Sequence, residues 1–288
     1  MSSVVLSQLL LGLINGSFYA LLSLGLALIF GLMKIVNFAH GALYMLGALT
    51  AWLLLDKAGL GYGWALILAP LAVGAFSAVV EISLIRRLRD LDPLYGLLLT
   101  FGLALLIQSV AMMKYGTSGQ PYPPPQWLIG AENLGFMILP RYRAWVILAS
   151  VVVCAGVWVL IEKTRLGSTL RAAAENPRLL EAFGVSVPRL ITATYAFGGA
   201  LAAFAGVLAA PIYRVSPLMG VDMIIVVFAV VAVGGMGSIG GSILTGFALG
   251  IAEGFTKVFY PQASTTVIFV IMALVLLVRP RGLFGRAG

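Results

Sequence analysis

Long apolar runs separated by short polar punctuation make up almost the whole chain. They fall near residues 4–33, 35–55, 62–85, 94–113, 144–161, 190–213, 221–236, 239–256 and 264–278. Most approach the roughly 20 residues that a helix needs to cross the hydrocarbon core of a bilayer. A helix satisfies its own backbone hydrogen bonds in lipid, so the pattern predicts an all-α polytopic bundle of about eight to ten transmembrane segments. Counted directly, the runs number nine. The first exceeds what the core demands, which predicts a tilt, a break near Asn15 and Gly16, or an extension beyond the membrane. The seventh is short enough to be re-entrant.

Composition narrows the reading further. Hydrophobic residues make up 61% of the chain and charged residues 10%, against about 45–50% and about 25% in soluble domains. A single transmembrane domain over 1–288 follows, with a long outer loop at about 114–143 and a long inner segment at about 162–189. The one cysteine, Cys154, lies inside an apolar run, which excludes a disulfide framework and a cysteine metal site. His40 is the one histidine, so this chain alone builds no multi-histidine site and no metal is expected. The net charge of +8 does not indicate nucleic acid, because the basic residues are scattered between apolar runs and not gathered on one face.

Topology accounts for that charge better. Lys and Arg accumulate on the cytoplasmic side of membrane proteins. Alternating spans put Lys34, Arg86, Arg87, Arg89, Lys163, Arg165, Arg171, Arg178, Arg189, Arg279, Arg281 and Arg286 on one side. Lys57, Lys114, Arg141, Arg143, Arg214 and Lys257 fall on the other. The split is twelve against six and predicts an outer N-terminus and a cytoplasmic C-terminus. Met1-Ser2-Ser3 carries no basic n-region and no small-residue cleavage site follows, so an uncleaved first helix is expected.

The outer loop contains Pro121-Tyr122-Pro123-Pro124-Pro125-Gln126-Trp127, and its prolines favour an extended chain. Two readings stand: a docking surface for an external partner, or a linker held by interfacial Tyr and Trp, the simpler of the two. The inner segment is more structured. Ala172-Ala173-Ala174-Glu175 favours helix, and Asn176-Pro177 restarts it, with Asn as N-cap and Pro at the first helical position. Leu179, Leu180 and Phe183 then share one side of a two-turn helix that Gly184 can end. Two turns are not stable alone in water, so this helix must pack on its own membrane domain or on another protein, such as a separate ATPase. Arg178 and Glu181 supply flanking charges for such a contact.

Four stretches carry a family resemblance. They are GLINGSFYALLSLGLALIFGLMKIVNFAHGALYMLGA at 12–48, AAAENPRLLEAFGV at 172–185, VAVGGMGSIGGSILTGFALGIAE at 231–253 and RPRGLFG at 279–285. Together they resemble the branched-chain amino-acid ABC permease family, in its shorter permease type. The resemblance implies a bacterial inner-membrane importer with two permeases, this chain and a paralogue, two cytoplasmic ATPases and a periplasmic substrate-binding protein. ATP and magnesium would bind the ATPases, with no cofactor on this chain. Glu175, Asn176, Pro177, Arg178, Leu179, Leu180, Glu181, Phe183 and Gly184 would form the ATPase coupling segment. Leucine, isoleucine and valine are the leading substrates, while related systems take up urea, amides or other small solutes.

The remaining motifs are weighed by their chemistry. The run Gly234 to Gly241 lacks the lysine of a phosphate loop, and Met236 breaks the GxSxG elbow, so the chain is not an enzyme and has no catalytic residues. Its glycines instead permit a tight turn. Ser238, Ser242, Gly246, Gly250 and Gly254 recur every fourth residue, as do Gly198, Ala202, Gly206 and Ala210, and such stripes are helix-packing faces in lipid. Asn37, His40 and Tyr44 fall on one face of the second span near Gly41, where the helix could unwind. With Asn15 they are candidates for the translocation path, the alternative being an interhelical hydrogen-bond network. Ser17, Tyr19 and Gln108 could add polar lining. Glu81 reads as an ion pair with Arg86, and Asp222 and Glu253 as side chains snorkelling to the outer surface. A rival reading, an ion-coupled carrier or a channel for a small polar solute such as urea or an amide, would need buried coupling carboxylates, inverted repeats or a selectivity element. None of these is legible.

Overall fold

The computed structural model describes residues 2–88 and 91–285. Arg89 and Arg286, both counted in the charge balance, lie outside the described residues. Every apolar run forms a helix: α1 (Ser2–Met33), α2 (Ala39–Ala58), α3 (Tyr62–Ser83), α4 (Pro93–Tyr115), α5 (Arg141–Lys163), α8 (Val187–Ala209), α9 (Met219–Gly234), α10 (Ile239–Phe259) and α11 (Thr266–Val278). Two shorter helices, α6 (Arg165–Glu175) and α7 (Pro177–Ala182), occupy the inner segment. Among the described residues six helices are long and apolar enough to cross a membrane, namely α1, α3, α4, α5, α8 and α10, while α9 and α11 are shorter.

No break occurs at Asn15 and Gly16, and α1 is one helix of 32 residues. At 1.5 Å per residue it spans about 48 Å, well beyond the roughly 30 Å of hydrocarbon. Its continuity follows from what it packs against. Gly12, Gly16 and Ala20 form a small-residue stripe that meets Gly254, Gly250 and Gly246 of α10 in antiparallel order. A Cβ placed on Gly246 would stand 2.6 Å from the Ala20 Cα, and one on Gly254 would stand 2.9 Å from the Gly12 Cα. The two helices thus touch backbone to backbone, and dispersion holds them where no hydrophobic effect operates between lipid-soluble surfaces.

Helix α8 makes the second close-packed seam and contacts α1, α2 and α3. Gly198 lies against the Gly25 carbonyl, Gly206 against the backbone of Tyr44 and Ala48, and Ala202 and Ala210 are buried. In contrast, α4 rests chiefly on α2 and on the 3-10 turn at Ile85–Leu88. Glu81 is buried at the end of α3, where it accepts from Arg86 at 2.9 Å and from the Thr192 hydroxyl at 2.7 Å.

The two ends of the bundle differ. At one end the 114–143 stretch is a folded cap. Gln120 and Val215 exchange backbone hydrogen bonds of 2.9 Å. β1 (Ala131–Asn133) and β2 (Ile138–Pro140) pair antiparallel, with Glu132 opposite Leu139. Tyr122 is buried, which pushes its hydroxyl up to about 12, and Trp127 meets Trp145 edge-on at 5.4 Å. The tyrosine and tryptophan therefore pack against the bundle.

At the opposite end, Gly235 and Gly237 adopt φ of 98° and 87°, a region L side chains avoid, and form the tight turn between α9 and α10. Ser238 caps α10 by accepting from the Gly241 amide. The tail folds back onto this turn: the amides of Leu283 and Phe284 donate to the carbonyls of Val233 and Gly234 at 2.8 and 3.3 Å.

Candidate translocation and coupling site

The polar face expected on the second span is divided by the way the helix starts. Lys34 ends α1 in a left-handed conformation, φ 54°, and residues 34–37 are not helical. Thr100 of α4 clamps this segment, since its hydroxyl accepts from the Phe38 amide and lies 3.2 Å from the Val36 carbonyl. As a result α2 begins at Ala39, and Asn37 precedes the helix instead of lying on it. This corrects the helical-face placement of Asn37. Gly41 remains helical and packs against the Gly220 carbonyl and Ile224 of α9.

Asn37, His40 and Tyr44 are all buried. His40 Nε2 lies 3.0 Å from the Leu22 carbonyl of α1. A carbonyl only accepts, so Nε2 carries a proton, and Nδ1 has no hydrogen-bond partner among the described residues. Both amide atoms of Asn37 also lack partners among the described residues, as does the Tyr195 hydroxyl of α8 that stands beside them. These side chains face the interior seam between α1, α2 and α8.

Asn15 belongs to a different cluster. Its amide donates to Glu253 at 3.3 Å and its carbonyl accepts from the Tyr213 hydroxyl. Tyr19 donates to the same carboxylate at 2.8 Å and Lys257 at 3.0 Å. Glu253 is only 4% exposed, so it does not snorkel: the α1–α10 seam is too close to let it out, and three donors satisfy it in place. Asp222, in the first turn of α9, is exposed as expected. Tyr44 lies near Tyr19 and Tyr213 and links the helix α2 to this cluster. Sequence reading took Glu253 as a snorkelling side chain because its place near the outer end of the span is local, whereas its partners Asn15 and Tyr19 come from α1.

The face of α2 turned toward α4 and α9 carries different residues. Gly41, Ala42 and Met45, with Phe38 just before the helix, form the floor of a cleft of about 330 Å³. One wall is Phe101, Ala104, Leu105 and Gln108 of α4; the other runs from Pro217 to Ile224.

The coupling segment folds as its sequence specifies. The Asn176 side chain accepts from the Leu179 amide at 3.0 Å, Pro177 starts α7, and Gly184 takes φ 83° just beyond it. None of α7 is buried, and Leu179 and Phe183 are 55% and 77% exposed. Glu175, Arg178 and Glu181 surround them. Helix α6 is the part that holds to the body, through α5 and α1. Beside it a hollow of about 410 Å³ brings together Lys34, Arg171 and Glu175, Met236 and Gly237 of the α9–α10 turn, and Phe284 of the tail.

A family described as "Branched-chain amino acid transport system / permease component" matches residues 8–278. The chain belongs to this family. Among its relatives, the high-affinity branched-chain amino acid transport system permease protein BraD of Pseudomonas aeruginosa is 33% identical, over 98% of this chain and 96% of the relative. The corresponding LivH of Escherichia coli is 30% identical over the same shares. LivM of Escherichia coli, another permease protein of such a system, is 26% identical over 92% of this chain and 67% of its own length. No solved structure gives a significant match. A permease of this family is a multi-pass membrane protein, and the carrier and channel readings find no support among these relatives.

Proposed function

We propose that this permease forms half of the membrane pathway of an ATP-driven importer for branched-chain or related amino acids. The match over residues 8–278 carries the reading. Similarity to both LivH and LivM supports pairing with a paralogue. Two ATPases on the α6–α7 side and a substrate-binding protein at the opposite end complete the assembly. The α6–α7 end is cytoplasmic on the charge balance, which leaves the N-terminus outside. The ATP and magnesium sites lie on the ATPases.

In this scheme ATP binding closes the ATPases, and α7, gripped through Leu179, Leu180 and Phe183, carries the movement inward. Helix α6 passes it to α1 and α5, and the small-residue seams let helices shift without opening gaps. The buried Asn37, His40 and Tyr44 hold the α1–α2–α8 contact, while Asn15 joins the Glu253 cluster.

The test is uptake of radiolabelled leucine into proteoliposomes that contain this chain with its co-purifying subunits. Uptake that requires both ATP and the binding protein is expected. Co-purifying ATPases with no leucine uptake would overturn the substrate; absence of any ATPase would overturn the importer.

A further inference from the structure

We propose that the cleft between α2, α4 and α9 contacts the transported solute, with Gln108 as its hydrogen-bonding group and the apolar walls holding an aliphatic side chain. The inference rests on the permease reading above. It begins with Gln108, an amide seven residues before Tyr115, the last residue of α4, about 10 Å from it at 1.5 Å per residue, and hence inside the hydrocarbon zone. The Gln108 Nε2 reaches only the Met112 sulfur, at 3.9 Å, and the side chain makes no other hydrogen bond among the described residues. An amide facing lipid at that depth is costly, so what fills the cleft must offer it a partner.

The backbone gives a second, independent indication. From the strand-like bridge at Val215 the chain descends to Gly220, which packs on Gly41 in the first turn of α2. Ser216, Pro217 and Leu218 cover this descent outside any helical ladder, and Pro217 and Leu218 line the cleft beside Gln108. Non-helical backbone at membrane depth is tolerated where it is buried in protein or borders a water-filled cavity, and not against lipid. A sealed protein contact is not what this cleft shows, since α4 stands away from α9 and leaves the space between them.

Size and chemistry select the occupant. About 330 Å³ is at the small end of the roughly 300–1,000 Å³ typical of ligand sites. Phe38, Met45, Phe101, Leu105 and Ile224 suit a branched aliphatic group, and a single amide can both donate to a carboxylate and accept from an ammonium group. An aliphatic amino acid fits this set, its ammonium and carboxylate meeting the Gln108 amide and the water of the cleft; a charged side chain would place a further charge against apolar walls.

The chain's single thiol makes the test direct. In a Cys154→Ser background, the complete transporter in membrane vesicles is treated with a water-soluble methanethiosulfonate. The Gln108→Cys variant is compared with Leu71→Cys and Val152→Cys, whose parent residues are 64% and 61% exposed on α3 and α5. We expect modification at position 108 and none at 71 or 152, with millimolar leucine slowing the reaction at 108 at least fivefold. In uptake assays Gln108→Leu should raise the leucine KM at least fivefold with assembly unchanged, and Gln108→Asn should recover part of the loss. A position 108 as inert as position 71 would overturn the proposal, because lipid or the paired permease then fills the cleft. Modification that leucine does not slow would also overturn it, leaving a wet cleft that the solute does not touch. If wild-type protein takes up leucine while position 108 is inert, only the cleft assignment fails; if wild-type protein takes up none, the importer reading itself fails.

Discussion

Gly250 shows how one hydrogen atom in place of a side chain can set a helix separation. A Cβ there would collide with the Gly16 backbone. Overpacking commonly costs about 1–3 kcal/mol where neighbours can yield, and here the neighbour is main chain. Gly250→Leu should therefore prevent the α1–α10 contact, seen as loss of the monodisperse peak in detergent and a lowered unfolding temperature. Unchanged behaviour would remove the packing role. Glu81 makes a contrasting case. Glu81→Gln leaves Arg86 without its carboxylate partner but keeps an acceptor for Thr192, so the loss should be about 1–2 kcal/mol, discounted because Arg86 is partly exposed. Thermal unfolding of the purified variant checks it. The Glu81–Arg86 pair was legible because both residues are close in sequence. Glu253 was not, since its partners Asn15 and Tyr19 are more than 230 positions away.

Among the elements, α7 is the one whose sequence specifies it most completely. Cap, proline, knob and terminating glycine lie within nine consecutive residues, and each acts on its neighbours. The start of α2 was misplaced for the opposite reason: the clamp that keeps Asn37 out of the helix is Thr100, on another helix. The outer cap was likewise hidden, because the pairing of Gln120 with Val215 joins chain segments far apart. For α7 the consequence is testable. Replacing Leu179, Leu180 and Phe183 together with Ser removes apolar surface that is exposed at Leu179 and Phe183 and half-buried at Leu180, so stability should change by no more than about 1 kcal/mol. ATP-driven uptake should fall at least tenfold, and the ATPase subunit should no longer co-purify. Retained association would exclude α7 as the grip.

At the scale of the whole molecule, the nine apolar helices and the all-α class were readable from the apolar runs alone, since lipid leaves a chain few alternatives. Which helices touch was not, because stripes of small residues announce a contact without naming the partner. The charge balance makes a global prediction. In a Cys154→Ser background, a thiol introduced by Arg178→Cys should react with an impermeant reagent only from the cytoplasmic face, and one introduced by Glu132→Cys only from the outer face. Reversed labelling would invert the topology.

The most extensive seam in the bundle joins the first helix to the tenth, and that has a consequence for biosynthesis. The ribosome emits α1 first, yet its glycine face finds α10 only once residue 259 has been made. At about 5–20 residues per second, that wait is on the order of 12–50 s. Through that interval α1 must sit in the membrane with its contact face unoccupied, dependent on the insertion machinery or on transient neighbours. A nascent chain stalled before Ile239 could never bury that face, so premature termination would leave a lasting mark that membrane proteases can read.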